Sequence, residues 1–308
     1  MENKNTNNIG IVYTKTGDRR RGKVMPYHQK PTTIKLNDTL YDVDIEMISP
    51  KKRKEVLNFT QVGRTEFAFS RFTIGFEVEK TYFARGVVKE YELFCGFETD
   101  SSCGYEAVTH ILPLLPPSRW RMKVFDMMFK AKSVIDSPCD TRCGGHINIG
   151  VYGHSGAEIM EKTRGYMGIV YALFRYRLKQ NYCRYNPRLL DSNQLNNYSS
   201  DFETRYHNKY RVALDKMHIL ELRLPSRVEN VKQLMRRYEL MYELVDTSFN
   251  SPKTTFKSFL KKIHPILMRM YENDEYKVHQ LKELAVDFQK YINTGFVSPL
   301  ITPYIASE

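Results

Sequence analysis

The sequence predicts an α+β fold: a curved, mostly antiparallel sheet that forms a cup, with helices packed on its convex, apolar face. Two observations predict it. Four short segments, TIGFEVEK (73–80), GYEAVTH (104–110), CGGHINIG (143–150) and MHILELRL (217–224), alternate apolar and polar residues, the period of a strand with one face in a core. Between and after them lie stretches whose apolar residues recur at helical spacing, and these supply the layer such a sheet must pack against. In the strands Ile74, Phe76, Val78, Ile147, Ile149, Leu220, Leu222 and Leu224 point one way. The pairs Glu77 and Glu79, Glu106 and His110, His146 and Asn148, and Glu221 and Arg223 point the other. If the four strands share a sheet, its polar face is a place for metal ions and phosphates.

The elements follow in chain order. Residues 1–30 hold seven Lys or Arg against two acidic residues, with the run Arg19-Arg20-Arg21, and read as a flexible basic arm. Residues 31–70 read as an accessory segment, strand-like over TTIKLNDTLYDVDIEMI (32–48). The main domain is expected over 71–250. Its first strand is followed by 81–100, expected to hold a hairpin that returns to the loop before Glu106. Prolines 116 and 117 precede a helix that starts after Ser118 and buries Trp120, Val124, Met127 and Met128 as one stripe. Ser155 and Glu158 form a capping box, and the helix they start is expected to run through IMEKTRGYMGIVYALFRYRLKQ (159–180). Asn230 caps another helix at Gln233, with Val231, Leu234, Tyr238, Met241 and Val245 on its buried face. Residues 251–308 read as a helical extension packed on the main domain, with a break at Pro265.

The chain has 308 residues, 42% of them hydrophobic, and a net charge of +12. That size supports one large core, and a positive field favours anionic partners, nucleotides or nucleic acid alike. No apolar run approaches the roughly eighteen residues of a membrane span, and the N-terminus lacks the apolar stretch of a secretory signal. Five cysteines are too few for a disulfide framework in a chain this long. A reducing, cytoplasmic setting is the expectation.

Glu77 and Glu79 lead the polar set. Two carboxylates at i and i+2 on a sheet face repel unless something positive lies between them. A divalent cation answers that need, and Mg²⁺ usually arrives with substrate phosphates. The plainer alternative is an exposed face on which Glu79 pairs with Lys80 or another base. Glu106 adds a third carboxylate, for a binuclear site. His146 can ligate a metal or donate to a phosphate oxygen. Glu221 can ligate metal or orient Arg223, whose fork matches a phosphate. Arg205, Lys209 and Arg211 form a basic cluster suited to closing over a triphosphate, and no glycine-rich phosphate loop accompanies them. Cys139, Cys143 and His146 have a loosely metal-like spacing without a fourth ligand.

GFEVEK (75–80), DSSCGYEAVTHILPLL (100–115), CGGHINIG (143–150), YALFRYRLKQNYCRYN (171–186) and the 207–224 region, in this order, resemble the amidoligase family of the glutamine synthetase and glutamate–cysteine ligase superfamily. The resemblance covers roughly 70–225. It implies a glutamine synthetase-like catalytic domain over 71–250 and an ATP-dependent carboxylate–amine ligase. It implies Mg²⁺, or Mn²⁺ in its place, held by Glu77, Glu79, Glu106, His146 and Glu221. Catalytic roles fall to Glu77, Glu79, Glu221 and Arg223, and nucleotide contacts to His146, Asn148, Arg205, Lys209 and Arg211. Two departures stand out. The serine-proline that follows the family's G-x-E is absent after Glu106, and the second histidine of its C-G-x-H-x-H strand is Asn148 here.

The implied partners are a carboxylate and an amine, drawn from amino acids, peptides or proteins, with no membrane and with nucleic acid not the main partner. Three rivals stay open at this stage. A metal-dependent hydrolase would use the same acids with water as acceptor. An inactive ligase-like scaffold would keep the fold alone. A basic nucleic-acid-binding protein would depend on the N-terminal arm and on salt.

Overall fold

The computed structural model describes residues 32–36, 39–43, 59–61, 67–88, 90–100, 103–179, 213–215 and 219–305. The architecture is mixed α/β, with two sheets among the described residues. The first has strands β1 (Thr32–Leu36), β2 (Thr39–Val43), β3 (Phe59–Gln61) and β4 (Phe67–Phe69) in the order β2-β1-β4-β3. Its β1–β4 pair is parallel and the other pairs are antiparallel.

The second sheet positions the polar residues. Its strands are β5 (Phe72–Lys80), β6 (Phe94–Asp100), β7 (Gly104–Thr109), β8 (Leu112–Pro113), β9 (Ile147–Val151), β10 (Ala213–Asp215) and β11 (Ile219–Leu222). Their order is β10-β11-β9-β5-β7-β6, and β8 also pairs with β5. Every pairing in this sheet is antiparallel. The strand β5 is central because it is long. Phe72–Phe76 pair with β9, and Glu77–Lys80 pair with β7 on the other side. The expected hairpin over 81–100 is shorter than predicted. Residues Arg85–Val88 form one helical turn (α1), and only Phe94–Asp100 pair with β7.

The apolar sides of these strands join one core. Ile74, Phe76, Val78, Ile147, Ile149, Leu220 and Leu222 are each at most 1% exposed. Burial of each such side chain stabilises the fold by about 1.5–3 kcal/mol. The helices are α2 (Arg119–Lys130), α3 (Lys132–Ile135), α4 (Gly156–Thr163), α5 (Gly168–Leu173), α6 (Val231–Asn250), α7 (Phe256–Lys262), α8 (His264–Met270) and α9 (Glu275–Thr294). Helix α4 packs on β9 and β11, and α6 packs on α2 and α4. The predicted caps are present: Ser118 accepts from Arg121 N, Ser155 and Glu158 close a capping box, and Asn230 accepts from Gln233 N. The apolar stripe of α6 is buried, and Pro265 opens α8 just after the break that ends α7. No helix among the described residues is long and apolar enough to cross a membrane.

The predicted helix over 159–180 is not continuous. It breaks into α4, a 3₁₀ turn at Arg164–Tyr166, α5 and a second 3₁₀ turn at Arg175–Arg177. The cause is Gln289 of α9. Its Oε1 accepts from Gly168 N at 2.9 Å, and its Nε2 donates to Arg164 O at 3.0 Å. Those two backbone groups would bond each other in an α-helix, so the side-chain amide replaces that rung from outside. Gly168 permits the approach: a Cβ there would lie 2.4 Å from Ala285 O and 2.7 Å from Gln289 Cβ. Gly168→Ala is therefore expected to destabilise the protein by about 1–3 kcal/mol, the usual cost of overpacking. A urea-unfolding midpoint equal to wild type would contradict this account.

Candidate metal centre

Strand register turns the alternating pattern into a site. Asn148 of β9 lies between Gly75 of β5 and Glu221 of β11. Across the other half, Glu79 of β5 lies opposite Glu106 of β7, and Glu106 lies opposite Glu98 of β6. Glu77 shares the face of Glu79 by period two. His146 precedes β9, and its carbonyl accepts from Glu77 N at 3.0 Å. One face of the sheet thus carries Glu77, Glu79, Glu98, Glu106, Glu221, His146 and Asn148.

Their contacts are close. Glu77 Oε2 is 2.9 Å from His146 Nδ1, and Glu77 Oε1 accepts from Asn148 Nδ2 at 3.0 Å. His146 Nε2 lies 3.4 Å from Glu79 Oε1, and Nδ1 lies 3.8 Å from Glu221 Oε1. The Gly144 N–H donates to Glu79 Oε2. That residue is glycine for lack of room: a Cβ would sit 2.9 Å from His146 Nε2 and 3.1 Å from Glu79 Oε1. Arg223 follows β11 and donates through Nη1 to Glu221 Oε1 at 2.7 Å. Glu221 is fully buried, and His146, Asn148 and Glu79 are nearly so.

This much negative charge in a dry place changes proton affinities. Glu106 is pushed up to about 9, first by burial and then by the charges of Glu77, Glu79, Glu98 and Glu221. Without a cation the cluster takes a proton instead.

The residues fit a divalent cation. One ligand atom each from Glu77, His146 and Glu221 lie within 4.8 Å of one another, and two carboxylates with one imidazole form a donor set that Mg²⁺ or Mn²⁺ accepts. Asn148 Oδ1 is buried and has no hydrogen-bond partner among the described residues, an acceptor lacking its donor or cation. Register also sets Glu98, Glu106 and Glu79 in a row across three strands.

The structure therefore brings together Glu77, Glu79, Glu106, His146, Asn148, Glu221 and Arg223. Arg205, Lys209 and Arg211 lie outside the described residues. β7 ends at Thr109, and the His110 N–H donates to Leu93 O. Lys80 does not pair with Glu79, since neighbours in a strand face opposite ways. Lys80 is fully buried on the other side, where its Nζ donates to Ser137 O at 2.8 Å and Val228 O at 2.6 Å, and burial lowers its proton affinity. It ties β5 to the loop that delivers Gly144 and His146. The thiols are engaged elsewhere: Cys139 Sγ contacts Val228 O and Cys143 Sγ contacts Asp140 Oδ1, so His146 serves the carboxylates rather than a zinc site.

Glu98 is the functional candidate that sequence reasoning missed. The alternation of FCGFETD (94–100) carried the signal, but only the register shows that Glu98 meets Glu106. No family model and no curated protein matches the chain, so the chemistry has to be read from these side chains.

Proposed function

We propose that the chain is an ATP-dependent carboxylate–amine ligase that forms an amide or peptide-like bond through an acyl phosphate. The acidic face is the floor of a catalytic cup of the glutamine synthetase type. The observation that carries this reading is the convergence of Glu77, His146 and Glu221 within 4.8 Å on a face that also holds Glu79, Glu98 and Glu106, with Arg223 at its edge. The ordered segments that resemble the amidoligases contribute all of these residues except Glu98.

In the proposed reaction an oxygen of the acceptor carboxylate bonds to the γ-phosphorus of ATP. The bond to the β–γ bridging oxygen breaks, and ADP leaves with that electron pair. The amine nitrogen then bonds to the acyl carbon, phosphate departs, and the amine proton passes to a carboxylate of the face. Glu77, His146 and Glu221 would hold a divalent cation, and Glu79, whose Oε1 lies 3.4 Å from His146 Nε2, and Glu106 opposite it would flank that ion. Such an ion supplies charge that stabilises oxygens on the moving phosphoryl group. Arg223, held by Glu221, adds a fixed positive fork to the same oxygens. Burial of the face keeps water from the acyl phosphate.

Isothermal titration with ATP and Mg²⁺ tests this. Wild type is expected to bind nucleotide only with the metal, and Glu77→Gln and Glu79→Gln to lose that binding. Undiminished metal-dependent binding in both variants overturns the assignment. Turnover of ATP that requires an amine and a carboxylate together separates the ligase from a metal-dependent hydrolase.

A further inference from the structure

We propose that Asn148 is itself a ligand of the cation held by Glu77, His146 and Glu221, supplying a neutral oxygen that biases the site toward oxygen-preferring ions. The inference rests on the metal centre proposed above and adds a residue and an ion preference to it.

The position comes from register. Asn148 stands directly between Gly75 and Glu221. Glycine on one side leaves its flank without a side chain, and Glu221 on the other is one of the three converging ligands. The orientation comes from hydrogen bonding. Asn148 Nδ2 donates to Glu77 Oε1 at 3.0 Å, and the flipped amide would set its oxygen against that carboxylate. The nitrogen is therefore fixed, and so is the oxygen on the same carbon.

That oxygen is the telling atom. Asn148 is 4% exposed, and Oδ1 accepts no hydrogen bond from any described residue. A buried carbonyl left without a donor costs free energy. A cation of the Glu77–His146–Glu221 site that also binds Oδ1 would remove that cost, because an amide oxygen is a normal ligand of hard divalent ions. The donor set then becomes three oxygens and one nitrogen. An imidazole at position 148 would make it two and two, which suits Zn²⁺ and Ni²⁺ better.

Two roles of the side chain must be separated: ligation through Oδ1, and orientation of Glu77 through Nδ2. Direct titration of the full chain with Mn²⁺ and, in parallel, with Zn²⁺ does so. Asn148→Ala removes both and is expected to weaken Mn²⁺ binding by about tenfold or more, the scale of losing a group that supports a metal. Asn148→Asp keeps the oxygen and removes the donor. Ligation predicts Mn²⁺ affinity at or above wild type for this variant. Asn148→His is expected to shift the Zn²⁺-to-Mn²⁺ affinity ratio toward zinc by about tenfold or more.

An Asn148→Asp protein that binds Mn²⁺ as poorly as Asn148→Ala assigns the residue to orientation alone and overturns the proposal, as does wild-type Mn²⁺ affinity in Asn148→Ala. Glu77→Gln distinguishes the two levels. If it still binds Mn²⁺ normally, the metal centre itself is wrong. If it loses binding while Asn148→Ala does not, only the role of Asn148 fails.

Discussion

Arg223→Met is expected to destabilise the metal-free protein by about 3–5 kcal/mol, the cost of stranding one partner of a buried ion pair. Glu221 is fully buried, and Arg223 Nη1 holds its Oε1 at 2.7 Å. Removing the guanidinium leaves a carboxylate among Glu77, Glu79 and Glu106 with much of its compensation gone. Two results are expected in chemical denaturation. In EDTA the variant unfolds at a clearly lower denaturant concentration than wild type. With saturating Mn²⁺ the gap narrows, because the cation takes over part of the neutralisation and binds only the folded state. Equal midpoints in EDTA would mean that Glu221 does not depend on Arg223. A gap that ignores Mn²⁺ would mean that no ion sits beside Glu221.

The second large effect is on pH dependence. Glu106 is pushed up to about 9 in the folded chain from an ordinary value of 4.5. Between those values the folded state holds a proton that the unfolded state has released. Stability therefore falls as pH rises from about 4.5 to about 9, and the contribution is greatest below the unfolded value. The expected outcome in EDTA is a folded state that weakens steadily between pH 5 and pH 9, with a shallower slope in Glu106→Gln, which cannot ionise. Mn²⁺ offsets part of the local negative charge and competes with the proton, so its stabilisation is expected to be larger at pH 8 than at pH 6. Identical slopes for wild type and Glu106→Gln would exclude Glu106 as the group responsible.

Both expectations depend on features that differ in how far the chain alone reveals them. Alternation within a strand is local. Period two alone puts Glu77 beside Glu79, turns Ile74, Phe76 and Val78 into the core, and places Glu221 and Arg223 on one side. Caps are local too, and for the same reason Ser118, Ser155 and Asn230 start their helices where the sequence says they do. The apolar stripe of α6 needs only a helical repeat to be read.

Register is not local. That Glu106 faces Glu79 and Glu98, and that Asn148 stands between Gly75 and Glu221, follows from how separate strands slide against each other. Pairing energy and core packing settle that jointly. For this reason alternation alone does not reveal that Glu98 faces Glu106. Competition between distant groups is equally hidden. The sequence from 159 to 180 has a sound helical pattern, and an amide 121 residues after Gly168 takes its hydrogen bond. Lys80 reads as a neighbour for Glu79 until the pleat sends it through the sheet to two backbone carbonyls. The chain alone thus settles which residue types lie on each face of each strand, because that depends on backbone geometry within a few residues. Which of them meet, how dry they are and what charge they can hold is settled only by tertiary packing, since burial and Coulomb interaction depend on distance in space rather than along the chain.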